Sequence, residues 1–451
     1  MKLTFFWLMI FSILGCRSTK TIKAIEEIQK TSIESMYHND EFPSFLNPDT
    51  LKKSFKNIDK WFEEEQGKKF MTEKDSEKIL KQILKLNPPT KYQDIGTYFL
   101  LNDLIEKINT TNNSIKLYKS NIKPRYATLW TNEINAESRR VNGEYVLFFN
   151  KRVFDFCLTM SKFASKSVKF NNEDNGQMSF SIDLDTLIKR IESDNELQER
   201  FIYSLLEFHY NLAPDPFLLD DDHNSMIINL INSMELFVLS HEYTHAALEH
   251  DLKGKFEAIG ETYDSKEDTI TLKKQVVESW QNEIIADIYG QTIINESSNF
   301  ENNYYLKDFD KIGGVFFLQC LNILDESLFI FQNKFEKPNL SLSDSLTLNE
   351  ILSNVFVEKN SRRINYDAIS NTWLNTLHPP IEIRKAFILN VLQKNIKKEM
   401  LDSRITKEQY AFYNLALNMT ILIEKLFEIT KDELLILANN EQLLKQLKNE
   451  K

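Results

Sequence analysis

Glycine and proline are scarce in this 451-residue chain, at 10 residues each. Glycine loosens the backbone and proline breaks its hydrogen bonding, so a chain with so little of either is expected to be mostly helical. Excess positive charge is also missing. The formal net charge is −11, which argues against nucleic acid as a partner, because phosphate contacts need Lys and Arg. The charges come in mixed-sign runs and read as a solvated surface. No internal repeat and no disorder-prone composition is evident. Cysteine is limited to Cys16, Cys157 and Cys320. The last two can pair in an oxidising compartment or remain as buried free thiols, and the sequence leaves that open. The length allows a large core and two or three domains.

The N-terminus, "MKLTFFWLMIFSILGC", places Lys2 before an apolar run from Leu3 to Leu14. That run is too short to span a bilayer as a helix and has the length of a signal-peptide core. "ILGC" resembles the lipobox of a bacterial lipoprotein signal. The resemblance implies cleavage before Cys16 and a lipid on that cysteine. It also implies a place in the bacterial cell envelope, tethered to a membrane surface. Arg17-Ser18 lacks the acidic residue that retains some lipoproteins at the inner membrane, so the outer membrane or the periplasmic face is expected. The alternatives are a plain signal peptide or a buried N-terminal helix.

Residues 17–120 read as a helical region with polar, proline-containing connections at 39–50 and 85–94. "GEYVLFFN", residues 143–150, is aromatic and β-branched and follows the turn signal Asn142-Gly143, so it reads as a strand. Residues 169–177 read as a polar loop and 185–210 as one helix. A long helix is expected from about Ser225 to His250. Its first half, "MIINLINSMELFVL", is apolar on nearly every side and is therefore buried. Asn229, Asn232 and Glu235 interrupt it, which argues against a transmembrane span.

That buried helix leads into "SHEYTHAALEHD", residues 240–251. Residues four apart on a helix differ by about 40° in direction, so His241 and His245 share a face and can reach one Zn²⁺. Glu242 stands beside them, placed to take a proton from a water that the metal acidifies. Catalytic zinc needs a third protein ligand. His250 points about 140° away from His245, and the metzincin pattern fails because position 248 is Leu rather than Gly. "ESWQNEIIADIYG", residues 278–290, is the better source, within a second amphipathic helix from Leu272 to Ile294. Glu283 can complete a His₂Glu set, with Glu278 as the fallback. Asp287 can accept from the distal N–H of a ligating imidazole and fix its tautomer. Ala286 is small enough to let the two helices approach.

"TLHPPIEIRKAF", residues 376–387, adds His378 and Arg384. Pro379 forces an extended approach at His378, and the two prolines stop helix formation before Ile381. His378 could hydrogen-bond the oxyanion of a tetrahedral intermediate, and Arg384 could pair with an acid near the metal.

Together "HEYTH … NEIIAD … LHPPIEIR" resembles the gluzincin metallopeptidases of the HtpX-like and CAAX prenyl endopeptidase type, across residues 121–395. The resemblance implies an α+β, predominantly helical fold: a zincin-like metallopeptidase domain with a small sheet, flanked by helical regions. It implies a protein or peptide substrate held along an edge strand, expected at 144–149, and a role for His378 at the transition state or in controlling access to zinc. The integral-membrane helices of several relatives are absent, so membrane-embedded prenyl substrates are not expected.

The sequence therefore divides into a lipoprotein-type signal (1–16), an N-terminal helical region (17–120), a zinc metallopeptidase domain (121–398) and a C-terminal helical segment (399–451). The expected metal ligands are His241, His245 and Glu283, with Zn²⁺ as cofactor and Glu242 and His378 as catalytic groups. Asp287 and Arg384 support them, and Cys16 carries the lipid. The competing readings are a non-catalytic, zinc-stabilised binding lipoprotein and a helical scaffold without metal.

Overall fold

The computed structural model describes residues 19–35, 88–118, 123–168, 183–210, 221–249, 266–297, 311–332, 378–401 and 407–440, the short strands 170–172 and 178–180, and isolated helical positions between 53 and 85. The leader with Cys16, His250 and the polar stretch after it lie outside the described residues. Among those that are described, the protein is mostly helical with one small mixed sheet, in line with a predominantly helical α+β chain. The chain forms two compact units. One comprises residues 1–110 and 120–155, the other residues 111–119 and 156–451.

The first unit contains helix α1 (19–35) and most of α2 (Ile95–Ile115). It also holds strands β1 (Arg125–Leu129), β2 (Ala136–Val141) and β3 (Glu144–Asn150). Asn142 and Gly143 both adopt positive φ, 50° and 82°. That is the backbone a two-residue hairpin turn needs to match strand twist, so Asn-Gly folds β2 back onto β3. The pairing runs from Val141 opposite Glu144 to Ala136 opposite Phe149. β3 also pairs in parallel with β1, giving the order β1-β3-β2. This corrects the expectation of an edge strand at 144–149. β3 is central, its backbone groups are taken on both sides, and β1 and β2 are the outer strands of this sheet. The centre suits its composition, since Val146, Leu147, Phe148 and Phe149 are all fully buried. Ile25 of α1 closes one face, against Ala127, Leu129, Val146 and Phe148.

In the second unit, α3 (Lys151–Lys166, of which 156 onward belongs here) is followed by strands β4 (Phe170–Asn172) and β5 (Met178–Phe180). These two strands pair antiparallel, so the start of the stretch expected to be a polar loop, 169–177, is a strand that pairs with the residues just after that stretch. Helices α4 (Leu184–Ser193) and α5 (Asn195–Tyr210) replace the single helix expected across this region. The break falls at Asp194, whose Oδ1 accepts from the Leu197 amide at 3.0 Å. A short acidic side chain that captures an orphan N–H starts a new helix in preference to continuing the old one.

Helices α6 (Asp221–Ala247) and α7 (Lys266–Ser297) lie along each other and form the most extensive helix pair. α8 (Gly313–Phe331) packs against α6, α9 (Ile381–Leu401) and α10 (Lys407–Ala438). Among the described residues α8 is the one helix long and apolar enough to cross a membrane, yet 67% of that stretch is buried inside the fold. Its position between α6, α9 and α10 makes it a core helix. Phe317 of α8 meets Phe156 of α3 edge-on and Phe237 of α6 at a tilt. Cys157 and Cys320 are buried free thiols in this core.

Candidate metal centre

The site begins with the burial of α6. Leu230, Met234, Phe237 and Leu239 are sunk in the core, and the same helix carries His241 and His245 inward. α7 runs antiparallel beside it, so that Glu283 meets His245 while Asp287, one turn on, meets His241. α9 supplies the third wall. Ile383 and Phe387 pack on Val276, Trp280 and Ile284 of α7, which fixes the start of α9 over the site. The Pro380 carbonyl accepts from the amides of Ile383 and Arg384, and the helix begins at Ile381, immediately after the two prolines.

His241, His245 and Glu283 are all buried, each with one potential ligand atom within 4.8 Å of the others, and the group could hold a metal ion. The separations are informative. His241 Nε2 is 3.1 Å from His245 Nε2 and 3.5 Å from Glu283 Oε2, and His245 Nε2 is 3.2 Å from Glu283 Oε1. Ligands at about 2.0–2.1 Å from a tetrahedral ion stand about 3.3–3.4 Å apart. The three donors therefore stand close to the spacing that such an ion imposes. Two imidazole nitrogens with facing lone pairs need a proton or a cation between them. Glu283 Oε2 is buried without a hydrogen bond.

The distal nitrogen of His241 is already committed. Nδ1–H donates to Asp287 Oδ1 at 2.9 Å, which fixes the tautomer so that Nε2 turns toward the cluster. Asp287 is gripped in turn by Arg384, whose Nε and Nη2 donate to Oδ2 and Oδ1, both at 2.7 Å. This bidentate fork leaves the carboxylate one orientation. Arg384 Nη2 also stands 3.9 Å from Glu283 Oε2.

The field of the site favours a cation. Burial alone would lower the His241 pKa, but the hydrogen bond to Asp287 and the approach of Glu283 outweigh it and push it up to about 10. Burial would raise Glu283, yet His378 and His245 hold it well below the ordinary carboxylate range. Asp287 is likewise kept ionised against its burial by Arg384 and His241. Glu242 differs. Desolvation dominates there and raises its pKa despite the neighbouring histidines. The Glu242 carboxylate, 3.9 Å from His241 Nε2, is therefore a stronger base than an exposed glutamate.

His378 comes to the cluster as well, with Nδ1 at 2.8 Å from Glu283 Oε2. That is ion-pair distance without the alignment of a hydrogen bond, consistent with Glu283 Oε2 remaining unsatisfied. Its side chain is 61% exposed, against 1% for Glu283, so it stands on the solvent side of the group. Glu278 is exposed and outside the cluster. Ala286 is fully buried, as its small size suggested.

Two residues near the site carried no weight in the sequence. Tyr118 packs its ring on Tyr243 and Tyr289 and hydrogen-bonds Thr244 Oγ1 at 2.8 Å, within the turn between the two histidines. Nothing local marks it, because the contact spans 126 residues. Gly290, on α7 beside His241, did leave a sign, since a glycine inside a helical pattern asks for a packing reason.

Comparison of the chain with family models, with curated proteins and with solved structures finds no match.

Proposed function

We propose that the protein is a zinc-dependent metalloendopeptidase with a zincin-like arrangement, of the HtpX-like and CAAX prenyl endopeptidase type. The observation that carries this reading is the convergence of His241, His245 and Glu283 at ligand spacing, with Glu242 beside them. The antiparallel pairing of a His-Glu-x-x-His helix with a glutamate helix supports the fold assignment. Zn²⁺ is favoured over harder cations because two of the three donors are imidazoles.

In this proposal His241, His245 and Glu283 hold the ion, which supplies Lewis acidity toward a peptide carbonyl and toward water. Glu242 accepts the proton of the attacking water and passes it to the leaving amine. Asp287 holds His241 in the tautomer that presents Nε2, and Arg384 holds Asp287. His378, exposed beside Glu283, donates to the developing oxyanion. The substrate class is peptide or protein. The leader sequence supports a further part of the proposal, that the chain is a lipoprotein of the bacterial cell envelope anchored through Cys16.

The test is zinc content and peptide hydrolysis of residues 17–451, beside Glu242→Gln. We expect about one zinc in both and a loss of hydrolysis of about 10²–10⁴-fold in the variant. Equal cleavage by Glu242→Gln would remove the mechanism. Zinc bound tightly with no cleavage of unfolded substrates would assign the site to a non-catalytic binding lipoprotein.

A further inference from the structure

Gly290 lies one turn beyond Asp287 on α7, in the interior of a 32-residue helix. A mid-helix glycine destabilises a helix relative to alanine, so its presence needs a reason. Backbone conformation is not that reason, because among the described glycines only Gly143 has positive φ. The reason is proximity. A Cβ on Gly290 would fall 3.3 Å from the His241 amide nitrogen, 3.3 Å from the Phe237 carbonyl oxygen and 3.5 Å from Phe237 Cδ2. In an α-helix the N–H of residue i bonds the C=O of residue i−4, so the first two atoms are the ends of one backbone hydrogen bond of α6. Neither can yield alone. A side chain at 290 needs the α6 backbone to give by a few tenths of an ångström there, and a close-packed interior transmits such a shift.

The displacement would fall at the level of the ligands. His241 Nδ1 is 2.9 Å from Asp287, one turn from Gly290, and His241 Nε2 is 3.5 Å from Glu283. Both carboxylates reach across the same interhelical gap. Asp287 is further clamped by Arg384 and cannot follow α6 outward without giving up that fork. We infer that Gly290 is a positioning residue: the bare backbone there holds α7 close enough to α6 for Glu283 and Asp287 to reach His241, and so sets the metal affinity of the site. This rests on the zinc reading above.

The experiment measures the Zn²⁺ dissociation constant by chelator competition, and the denaturant midpoint of the metal-free protein, for wild type and Gly290→Ala. We expect zinc to bind roughly tenfold more weakly in the variant, the size of effect seen when a ligand's support is disturbed. The metal-free midpoint should move little, because alanine's better helix propensity offsets part of the crowding. A packing role unrelated to metal predicts the reverse, a lower midpoint with unchanged affinity, and that result overturns the inference. Should Gly290→Ala fail to fold, Phe237→Leu in the same chain removes the ring contact and gives α6 room to shift. The double variant is then compared with Phe237→Leu alone, and equal affinities again overturn the inference. If wild type binds no zinc, both readings fall. If wild type binds and Gly290→Ala binds equally well, only the role of Gly290 is lost.

Discussion

Each unit of this protein buries a polar network, and the two are built on opposite principles. In the first unit the network is neutral. Thr128 N–H and Oγ1 donate to Gln93 Oε1 at 2.8 and 2.9 Å, Gln29 Nε2 donates to Thr128 O at 2.7 Å, and Thr90 Oγ1 donates to Gln29 Oε1. Ser32 Oγ serves the amide and carbonyl of Trp130 in the same way. These side chains stand where a neighbouring strand would stand, and they pair the backbone of Thr128 in β1 and of Trp130 just after it. In the second unit the network is charged, and its ligand atoms face each other. His241, His245 and Glu283 turn lone pairs toward a common point, and one carboxylate oxygen is left without a hydrogen bond. Both networks leave one buried polar atom without a partner, Gln93 Nε2 in the first and Glu283 Oε2 in the second. The difference is convergence: only in the second do nitrogen and carboxylate acceptors gather where a cation could sit.

The largest test of that contrast removes Glu283. If the second network is completed by a cation, Glu283→Gln should weaken zinc by on the order of 5 kcal/mol, enough to leave none bound after dialysis. Gln93→Ala should leave zinc content untouched. Both are read by metal analysis of the purified proteins. Full zinc in Glu283→Gln would break the comparison, because the convergence of the cluster would then not be what holds the ion.

Glu235 sharpens the comparison from within α6. It is buried, acidic, and without a cationic partner among the described residues, and desolvation pushes its pKa up from 4.5 to about 8. The folded protein therefore keeps a proton there that the unfolded chain releases above about pH 4.5. Stability is unaffected below pH 4.5 and falls as pH rises toward 8, by on the order of 5 kcal/mol in all. Urea midpoints at pH 5 and pH 9 check this. Glu235→Gln should gain little at pH 5 and most of that amount at pH 9, and parallel pH profiles for the two proteins would refute the buried neutral acid. Gln29→Ala, in the neutral network, should cost less, about 2 kcal/mol, because it leaves the Thr128 carbonyl and Thr90 hydroxyl without their buried partner. Its effect should be independent of pH and of zinc. A midpoint that shifts on zinc addition differently from wild type would show the two networks to be coupled.

The legible part of this molecule was its local chemistry. The i,i+4 spacing of His241 and His245, the repeat of that spacing in Glu283 and Asp287, the Asn142-Gly143 hairpin and the prolines before Ile381 each act within a few residues, and each stands where its spacing placed it. Long-range order was less legible. That β3 is central follows from its parallel pairing with β1, and nothing in "GEYVLFFN" announces a partner on its far side. Its unbroken apolar run was the one sign, since a strand buried on both faces does not alternate. The split at Asp194 is not legible, because the apolar spacing continues through it and a single cap outweighs that pattern. Arg384 was expected to meet an acid near the metal. That the acid is Asp287 depends on how α9 lies over α7, which no spacing encodes.

The smallest predicted effect is the one that asks whether a neutral contact can belong to the charged site. Tyr118 and Thr244 form a buried, uncharged pair in the turn between the two histidines. Burial raises the Tyr118 pKa, so its hydroxyl stays protonated and donates, while Thr244 Oγ1 donates onward to the Ser240 carbonyl at 2.8 Å. Tyr118→Phe keeps the ring against Tyr243 and Tyr289 and removes one hydrogen bond. Thr244 loses an incoming donor but keeps its own acceptor, so no buried group is orphaned and the cost should be about 1 kcal/mol. Thr244 projects about 100° from His245 around the helix, away from the ligand face. The pair should therefore behave like the network of the first unit, with a slightly lower denaturant midpoint and a zinc dissociation constant within about twofold of wild type. If zinc instead weakens by tenfold or more, the hydroxyl holds the histidine turn in register. The boundary between structure and site would then run through α6 and not between the two networks.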